Sequence, residues 1–233
     1  MITKKFKNCV NNHGFTLIEL LVSLALTVLV LSGIYELYTS QSKAYNAQNQ
    51  VAEMQQNVRI AMDVIARSIR SAGYDPLESG FFGFTDSAFK DADDPGLIIN
   101  EQVGGQDTLF LTVNDDGIAG IADTVDEKIG YRLTGGNLQI GTAIAAGVIS
   151  AWSDLAENIS TLTITYTMAD GNNYVPDNTN GATPLDNTDQ IRLVKVTIMG
   201  KTSKRDPSWP NDDGAGVGYR TRTLSSNVRP RNY

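Results

Sequence analysis

An almost unbroken apolar run occupies residues 15–37, close to the start of the chain. A helix needs about 20 predominantly apolar residues to cross a bilayer, so the run predicts a transmembrane helix. Three lysines precede it, Lys4, Lys5 and Lys7. Basic residues favour the cytoplasmic side, so the rest of the chain is expected across the membrane, in the periplasm.

The apolar pattern continues beyond residue 37 with a helical period. No proline occurs before Pro76, and apolar residues recur at intervals of three, four or seven. These positions are Val51, Met54, Val58, Ile65, Ile69 and Ala72. The pattern predicts a long helical region, residues 15–73, which is amphipathic over residues 38–73 and packs its apolar stripe on the chain's own globular part. Gly73 is expected to end the helix.

Short runs with strand character follow the helix. They cover residues 108–113, 128–133, 138–140, 159–168 and 191–199. Gly135 and Gly136 form a turn between the second and third runs. Most connections are too short for helical crossovers, which favours an antiparallel sheet. The sequence therefore predicts an α+β fold with a β-rich head of residues 74–233.

Two connecting segments carry aromatic residues. Four phenylalanines are expected to hold the first segment against the head: Phe81, Phe82, Phe84 and Phe89. The second segment, residues 205–219, is predicted to be a long exposed loop. Its Trp209 lies between Pro207 and Pro210, and either anchors another subunit or folds onto its own domain.

Glu19 is a single carboxylate near the start of the predicted transmembrane helix. An isolated charge in lipid is costly unless a cation meets it. Cleavage after Gly14 would create that cation, because Phe15 would then carry a free amino group. This group would lie one helical turn from Glu19, or from the Glu19 of a neighbouring copy.

The stretch from His13 to Glu19 resembles the prepilin signature of type IV pilins and type II secretion pseudopilins. The leader lysines, the Gly-Phe junction, the glutamate and the apolar run carry the resemblance. It implies a leader peptide of residues 1–14, cut after Gly14 by the prepilin peptidase, which also methylates the Phe15 amine, and a role for Glu19 in assembly. It also implies a type IV pilin-like fold, storage in the bacterial inner membrane and later entry into a pilus.

Four further segments are similar to minor pilins of the PilW type and to J-type pseudopilins. They are residues 51–59, 70–74, 155–171 and 228–232. The similarity implies a minor pilin whose partners are other minor pilins and the major pilin, and which primes or caps assembly. The alternatives are a minor pseudopilin of type II secretion and a pilus-borne adhesin module.

Composition excludes several other functions. The formal charge of −7 becomes −10 without residues 1–14, because that segment holds three lysines and no acid. A nucleic-acid surface needs clustered Lys and Arg, so no nucleic-acid partner is expected. The only cysteine and the only histidine, Cys9 and His13, lie in the leader. Zinc sites and Cys or Ser-His-Asp nucleophiles are thereby excluded from the mature chain, and no enzyme is expected, although a carboxylate-based hydrolase stays open.

One acidic loop has the residue types of a calcium site. Its candidate ligands are Asp115, Asp116, Asp123 and Asp126. Their spacing fits no frame of an EF-hand loop. We therefore interpret these residues as turn residues between strands and expect no cofactor, with calcium as the alternative.

Overall fold

The computed structural model describes residues 14–74, 76, 84, 90–91, 102–103, 106–114, 128–143, 148–174, 191–206, 209 and 217–231. Contacts divide the chain into two compact units, Met1–Gln48 and Asn49–Tyr233. A single helix, α1 (Leu17–Ser71), contributes residues to both units.

The first unit exposes the side chains of the apolar run. Leu17 is 79% exposed and Leu29 is 68% exposed, so no described residue covers them. Among the described residues, α1 is the one helix long and apolar enough to cross a membrane, by length and composition. The span predicted from the sequence, residues 15–37, falls largely within this helix.

Hydroxyl groups within the apolar run bond to the helix that carries them. Ser23 Oγ donates to the Leu20 carbonyl at 3.0 Å, and Thr27 Oγ1 donates to the Ser23 carbonyl at 2.7 Å. Ser32 Oγ makes a similar bond of 2.9 Å to the Leu29 carbonyl. These three hydroxyl groups therefore leave no unsatisfied donor on the exposed apolar surface of the helix.

The second unit contains the strands that the structure describes. In chain order they are β1 (Lys90–Asp91), β2 (Gln102–Val103), β3 (Gln106–Asp107), β4 (Leu109–Thr112), β5 (Lys128–Thr134), β6 (Asn137–Ala143), β7 (Val148–Ala156), β8 (Ile159–Met168), β9 (Asn173–Tyr174), β10 (Ile191–Lys201) and β11 (Thr221–Val228). They form a five-stranded sheet in the order β1-β7-β6-β5-β4, a four-stranded sheet in the order β11-β10-β8-β9, and the pair β2-β3. The predicted α+β class is confirmed.

The antiparallel pairing expected for the head is confirmed, and the structure adds two features that the sequence does not predict. The main strands divide between two sheets, and β1 pairs parallel to β7 while the other pairings are antiparallel. The division has a physical reason. The apolar stripe of α1 needs a wide surface to cover it, and inward-facing side chains from both sheets contribute to that surface.

The predicted stripe of α1 lies in the core of the second unit. Met54, Val58, Ile65, Ile69 and Ala72 are buried, and Val51 is half-buried. Around them lie inward-facing residues of both large sheets, including Leu109, Tyr131, Leu162 and Val196. The predicted packing of the helix on the head is confirmed.

Helix α1 ends where the glycine predicts. Gly73 has a φ of 71°, a left-handed conformation that residues other than glycine rarely adopt. The Gly73 N–H donates to the Thr112 carbonyl at 3.1 Å, and this bond ties the helix end to β4. Gly73 therefore ends the helix through its own backbone conformation and also joins the helix to β4.

The predicted strands all occur, and the Gly135-Gly136 turn joins β5 to β6. Both glycines have positive φ, 62° and 85°, as a two-residue hairpin turn with a right-handed strand twist requires. Among the strands longer than two residues, β7 and β11 were not predicted. Bulges interrupt the pairing of β7 with β6, and β11 contains polar residues with low strand propensity, so neither strand shows a clean alternating pattern.

Phe84 packs onto the head as predicted. It is 3% exposed and meets the Tyr166 ring edge-on, with ring centroids 5.8 Å apart. The other three phenylalanines predicted to do the same, Phe81, Phe82 and Phe89, lie outside the described residues.

Candidate functional site

The residues of the predicted assembly site lie at the start of α1. Thr16 directly precedes the first helical residue, Leu17, and Glu19 is the third residue of the helix. The Glu19 N–H donates to Thr16 Oγ1 at 3.3 Å, and Glu19 Oε2 accepts from the Thr16 N–H at 3.4 Å. Each residue thus satisfies a backbone donor of the other, which is the arrangement of a capping box.

The Glu19 carboxylate is held only loosely. Its contact with Thr16 Oγ1 is also 3.3 Å long. All these distances exceed the roughly 2.9 Å of an ordinary N–H···O bond. No ion pair joins Glu19 to another residue in the part of the chain that the structure describes. Glu19 therefore caps its own helix and keeps a negative charge that an incoming cation can bind.

Gly14 and Phe15 precede the helix and are accessible. Phe15 is 87% exposed, and a side-chain atom added at Gly14 would meet nothing within 4 Å. A peptide bond in exposed, non-helical chain can enter the active site of a protease without unfolding the helix. The geometry at the Gly14–Phe15 bond thus permits the predicted cleavage.

Sequence reasoning did not identify Thr16 as a member of this site. The signal was present, because Thr16-Leu17-Ile18-Glu19 has the spacing of a capping box directly before an apolar run. Glu19 therefore has a structural function in the single chain besides the predicted function in assembly.

The other candidate site cannot be placed. Asp115, Asp116, Asp123 and Asp126, the candidate calcium ligands, lie outside the described residues. Among the residues that are described, no group of three or more His, Cys, Asp or Glu side chains could hold a metal ion. Calcium binding therefore stays the untested alternative to the expectation of no cofactor.

Comparison with known sequences defines the class of protein. A prokaryotic N-terminal methylation motif matches residues 9–35, which include Gly14, Phe15 and Glu19. Together with the exposed apolar helix and the α+β head, this motif defines a protein of the type IV pilin class.

The particular family follows from the rest of the chain. The family described as "prepilin peptidase-dependent protein B" matches residues 47–228. Because the match covers more than half of the sequence, the chain belongs to this family. No curated protein matches the chain.

Among solved structures, a type IV-like pilin from Thermus thermophilus is similar to this chain. The two share 12% sequence identity with a TM-score of 0.46. The similarity covers 76% of this chain and 96% of the Thermus protein.

Proposed function

We propose that the chain is a minor pilin that is cut by a prepilin peptidase and joins other minor subunits to prime or cap a type IV pilus. The observation that carries the proposal is the exposed methylation motif, with an accessible Gly14–Phe15 bond followed by Glu19 near the start of an apolar helix. Membership of a family described as prepilin peptidase-dependent supports the cleavage. The four segments that are similar to PilW-type minor pilins support the role of a minor subunit.

In this proposal, cleavage changes the partner of Glu19. The precursor holds the carboxylate through weak bonds to Thr16, at 3.3–3.4 Å. After cleavage the Phe15 ammonium of a neighbouring subunit offers a full positive charge. A carboxylate and an ammonium are each costly in lipid when alone, so pairing them between subunits lowers that cost and sets the register of adjacent helices.

The proposal assigns a structural function and no catalysis to the chain. The subunit is stored in the inner membrane through the apolar part of α1, with its head in the periplasm, and then passes into the pilus. A type II secretion pseudopilin would use the same pairing of Glu19. The subunits that copurify with the chain distinguish the two machines.

Glu19→Gln tests the role of the charge. Glutamine at this position keeps the capping box, because its amide oxygen also accepts from the Thr16 N–H. An ammonium left without its partner in lipid costs about 2.5–3.5 kcal/mol, so incorporation into fibres should fall by at least about tenfold. The measurement compares the amount of the variant in sheared fibres with the amount in the membrane fraction, which should not change.

Two further variants separate charge from capping. Thr16→Ala removes the capping hydroxyl but keeps the Glu19 charge, and should retain most incorporation. Glu36→Gln removes a carboxylate from the same helix at a position outside the motif, and should enter fibres normally. Normal incorporation of Glu19→Gln, or equal losses in all three variants, would contradict the proposal.

A further inference from the structure

Charge is unevenly distributed along this acidic chain. Residues 191–233 contain nine Lys and Arg but three acids, whereas residues 15–190 contain seven Lys and Arg and 23 acids. The C-terminal segment of residues 191–233, which contains the hairpin of β10 and β11, is therefore the basic part of the head. Such segregation creates a local positive potential that favours an anionic partner.

The cations concentrate beside two aromatic rings at one end of this hairpin. Lys201 Nζ lies 5.2 Å from the centroid of the Tyr219 ring, and Arg205 Cζ lies 5.8 Å from the same centroid. Arg220 Cζ lies 4.9 Å from the centroid of the Trp209 ring. We call Lys201, Lys204, Arg205, Trp209, Tyr219 and Arg220 the basic–aromatic patch.

Hydrogen bonds hold the backbone of the patch in place. The buried Thr202 donates its N–H to the Arg220 carbonyl at 2.9 Å, and the Arg220 N–H donates to Thr202 Oγ1 at 3.2 Å. Arg205 Nε donates to the Val217 carbonyl at 2.8 Å. The backbone that carries the cations is therefore fixed, so less backbone entropy is lost when a ligand binds.

Three cations of the patch form no ion pair with another residue in the described part of the chain. Arg220 forms an ion pair of 2.8 Å with Asp206. No ion pair joins Lys201, Lys204 or Arg205 to another residue in the described ranges. Lys204 and Arg205 are also exposed, so their side chains are accessible to a partner outside the chain.

The basic–aromatic patch is hydrogen-bonded to one of the first residues of the second compact unit. The Lys204 N–H donates to Gln50 Oε1 at 3.0 Å. Gln50 is the second residue of the second compact unit, and it follows the end of the apolar run at residue 37 by only thirteen residues. The patch is thus attached to the part of the head nearest in sequence to the membrane anchor.

We propose that the basic–aromatic patch binds anionic phospholipid headgroups of the membrane in which the subunit is stored. Lys and Arg near an anionic membrane surface add to binding, and Trp and Tyr are enriched at the depth of the headgroups. The patch combines both residue types on one frame. The contact would hold the head at the membrane until the subunit is extracted.

A phospholipid surface fits the patch better than an acidic protein does. While the subunit is stored, the anchor and the head belong to one chain, and this raises the effective concentration of headgroups above that of any free partner. Three cations that form no ion pair with a described residue also match a surface of many separate anionic charges, which requires no fixed geometry of carboxylates.

A fluorophore beside the patch tests the proposal in the full chain. Cys9 is the only cysteine, so Cys9→Ser with Ser203→Cys gives a single labelling position at an exposed residue between patch cations. The labelled chain is placed in nanodiscs that contain a lipid with a nitroxide quencher on its headgroup. We expect strong quenching in discs with phosphatidylglycerol, and little in discs of phosphatidylcholine alone.

Charge removal at the patch should release the head. Each Lys or Arg near an anionic surface contributes about a fivefold factor in affinity, so Lys201→Gln, Lys204→Gln and Arg205→Gln together should weaken the contact roughly 100-fold. The matched control, Arg59→Gln, Arg67→Gln and Arg70→Gln, removes the same charge from exposed positions of α1 and should leave quenching unchanged.

Several results would overturn the proposal. They are equal quenching in both lipids, equal loss in the two triple variants, and absence of quenching in the unmodified labelled chain. Binding of duplex DNA or of an acidic protein at the patch without quenching by the lipid would assign the surface to that partner. None of these measurements depends on fibre assembly, so they can fail while the proposed function stands.

Discussion

At the scale of single residues, Tyr131 shows how a buried polar group joins the helix to the five-stranded sheet. Its side chain is fully buried, and its hydroxyl lies 2.7 Å from Ser68 Oγ on α1. Burial raises the pKa of the Tyr131 hydroxyl above the ordinary 10.0, and the hydrogen bond with Ser68 partly offsets this rise. The neutral phenol is therefore the form that the folded head accommodates.

This shift in pKa predicts a loss of stability in alkali. Unfolded Tyr131 loses its proton near pH 10, whereas the folded side chain keeps it to higher pH. The contribution to the free energy of unfolding is therefore fully present below about pH 10 and falls as pH rises above that value. Urea unfolding, followed by circular dichroism on both sides of about pH 10, measures the effect.

Tyr131→Phe separates this residue from other alkaline effects. The variant should lose about 1 kcal/mol at neutral pH, because Ser68 loses its partner. It should also show a smaller decrease above about pH 10 than the unmodified protein. An unchanged alkaline decrease would mean that other groups cause it.

At the scale of elements, α1 lies close to the four-stranded sheet at Gly200 of β10. A methyl group added there would overlap the Val58 side chain and come within 3.1 Å of Met54 Cγ. The absence of a side chain on β10 thus lets the helix lie close to the sheet. An apolar stripe on the helix is not sufficient for this packing, since the strand must also leave space for it.

Gly200→Ala should therefore destabilise the head. Overpacking of a filled core costs roughly 1–3 kcal/mol, which corresponds to a melting temperature lower by roughly 2–12 °C for a chain of this size. The same substitution at Gly33, where an added methyl would meet nothing within 4 Å, is the matched control. Thermal unfolding of both variants in detergent tests the prediction. Equal melting temperatures would show that the core adapts at Gly200.

At the scale of the whole molecule, the proposed cleavage would change charge, length and chemistry together. Loss of residues 1–14 removes three lysines, the only cysteine and the only histidine, and takes the net charge from −7 to −10. The remaining chain has no thiol or imidazole, so its stability and contacts depend on packing, hydrogen bonds and charges.

Deletion of the prepilin peptidase should leave a precursor that is longer by these fourteen residues. It should migrate more slowly on a denaturing gel, and mass spectrometry should find its N-terminus at Met1. In the presence of the peptidase, the native chain should begin at methylated Phe15. A native chain that begins at Met1 in cells with normal pili would refute the proposed processing.

Much of the architecture could be predicted because its signals are local. The apolar run, the stripe from Val51 to Ala72 and the stop at Gly73 each depend on neighbours within a few turns of helix. The same holds for the Gly135-Gly136 hairpin and for the strands with regular alternation. The three-residue spacing of Thr16 and Glu19 in the sequence is likewise a local signal, and it is the spacing of a capping box.

Tertiary structure alone decided the rest, because those features depend on residues far apart in the sequence. Strand β11 is polar and forms through backbone pairing with β10. The Asp107 carboxylate is buried because it accepts from the Ile164 N–H of β8 at 2.6 Å. Tyr219 meets Lys201 and Arg205 only because the hairpin brings them together. Local propensity specifies the conformation of an element, but only the packed chain specifies which distant side chains share a surface.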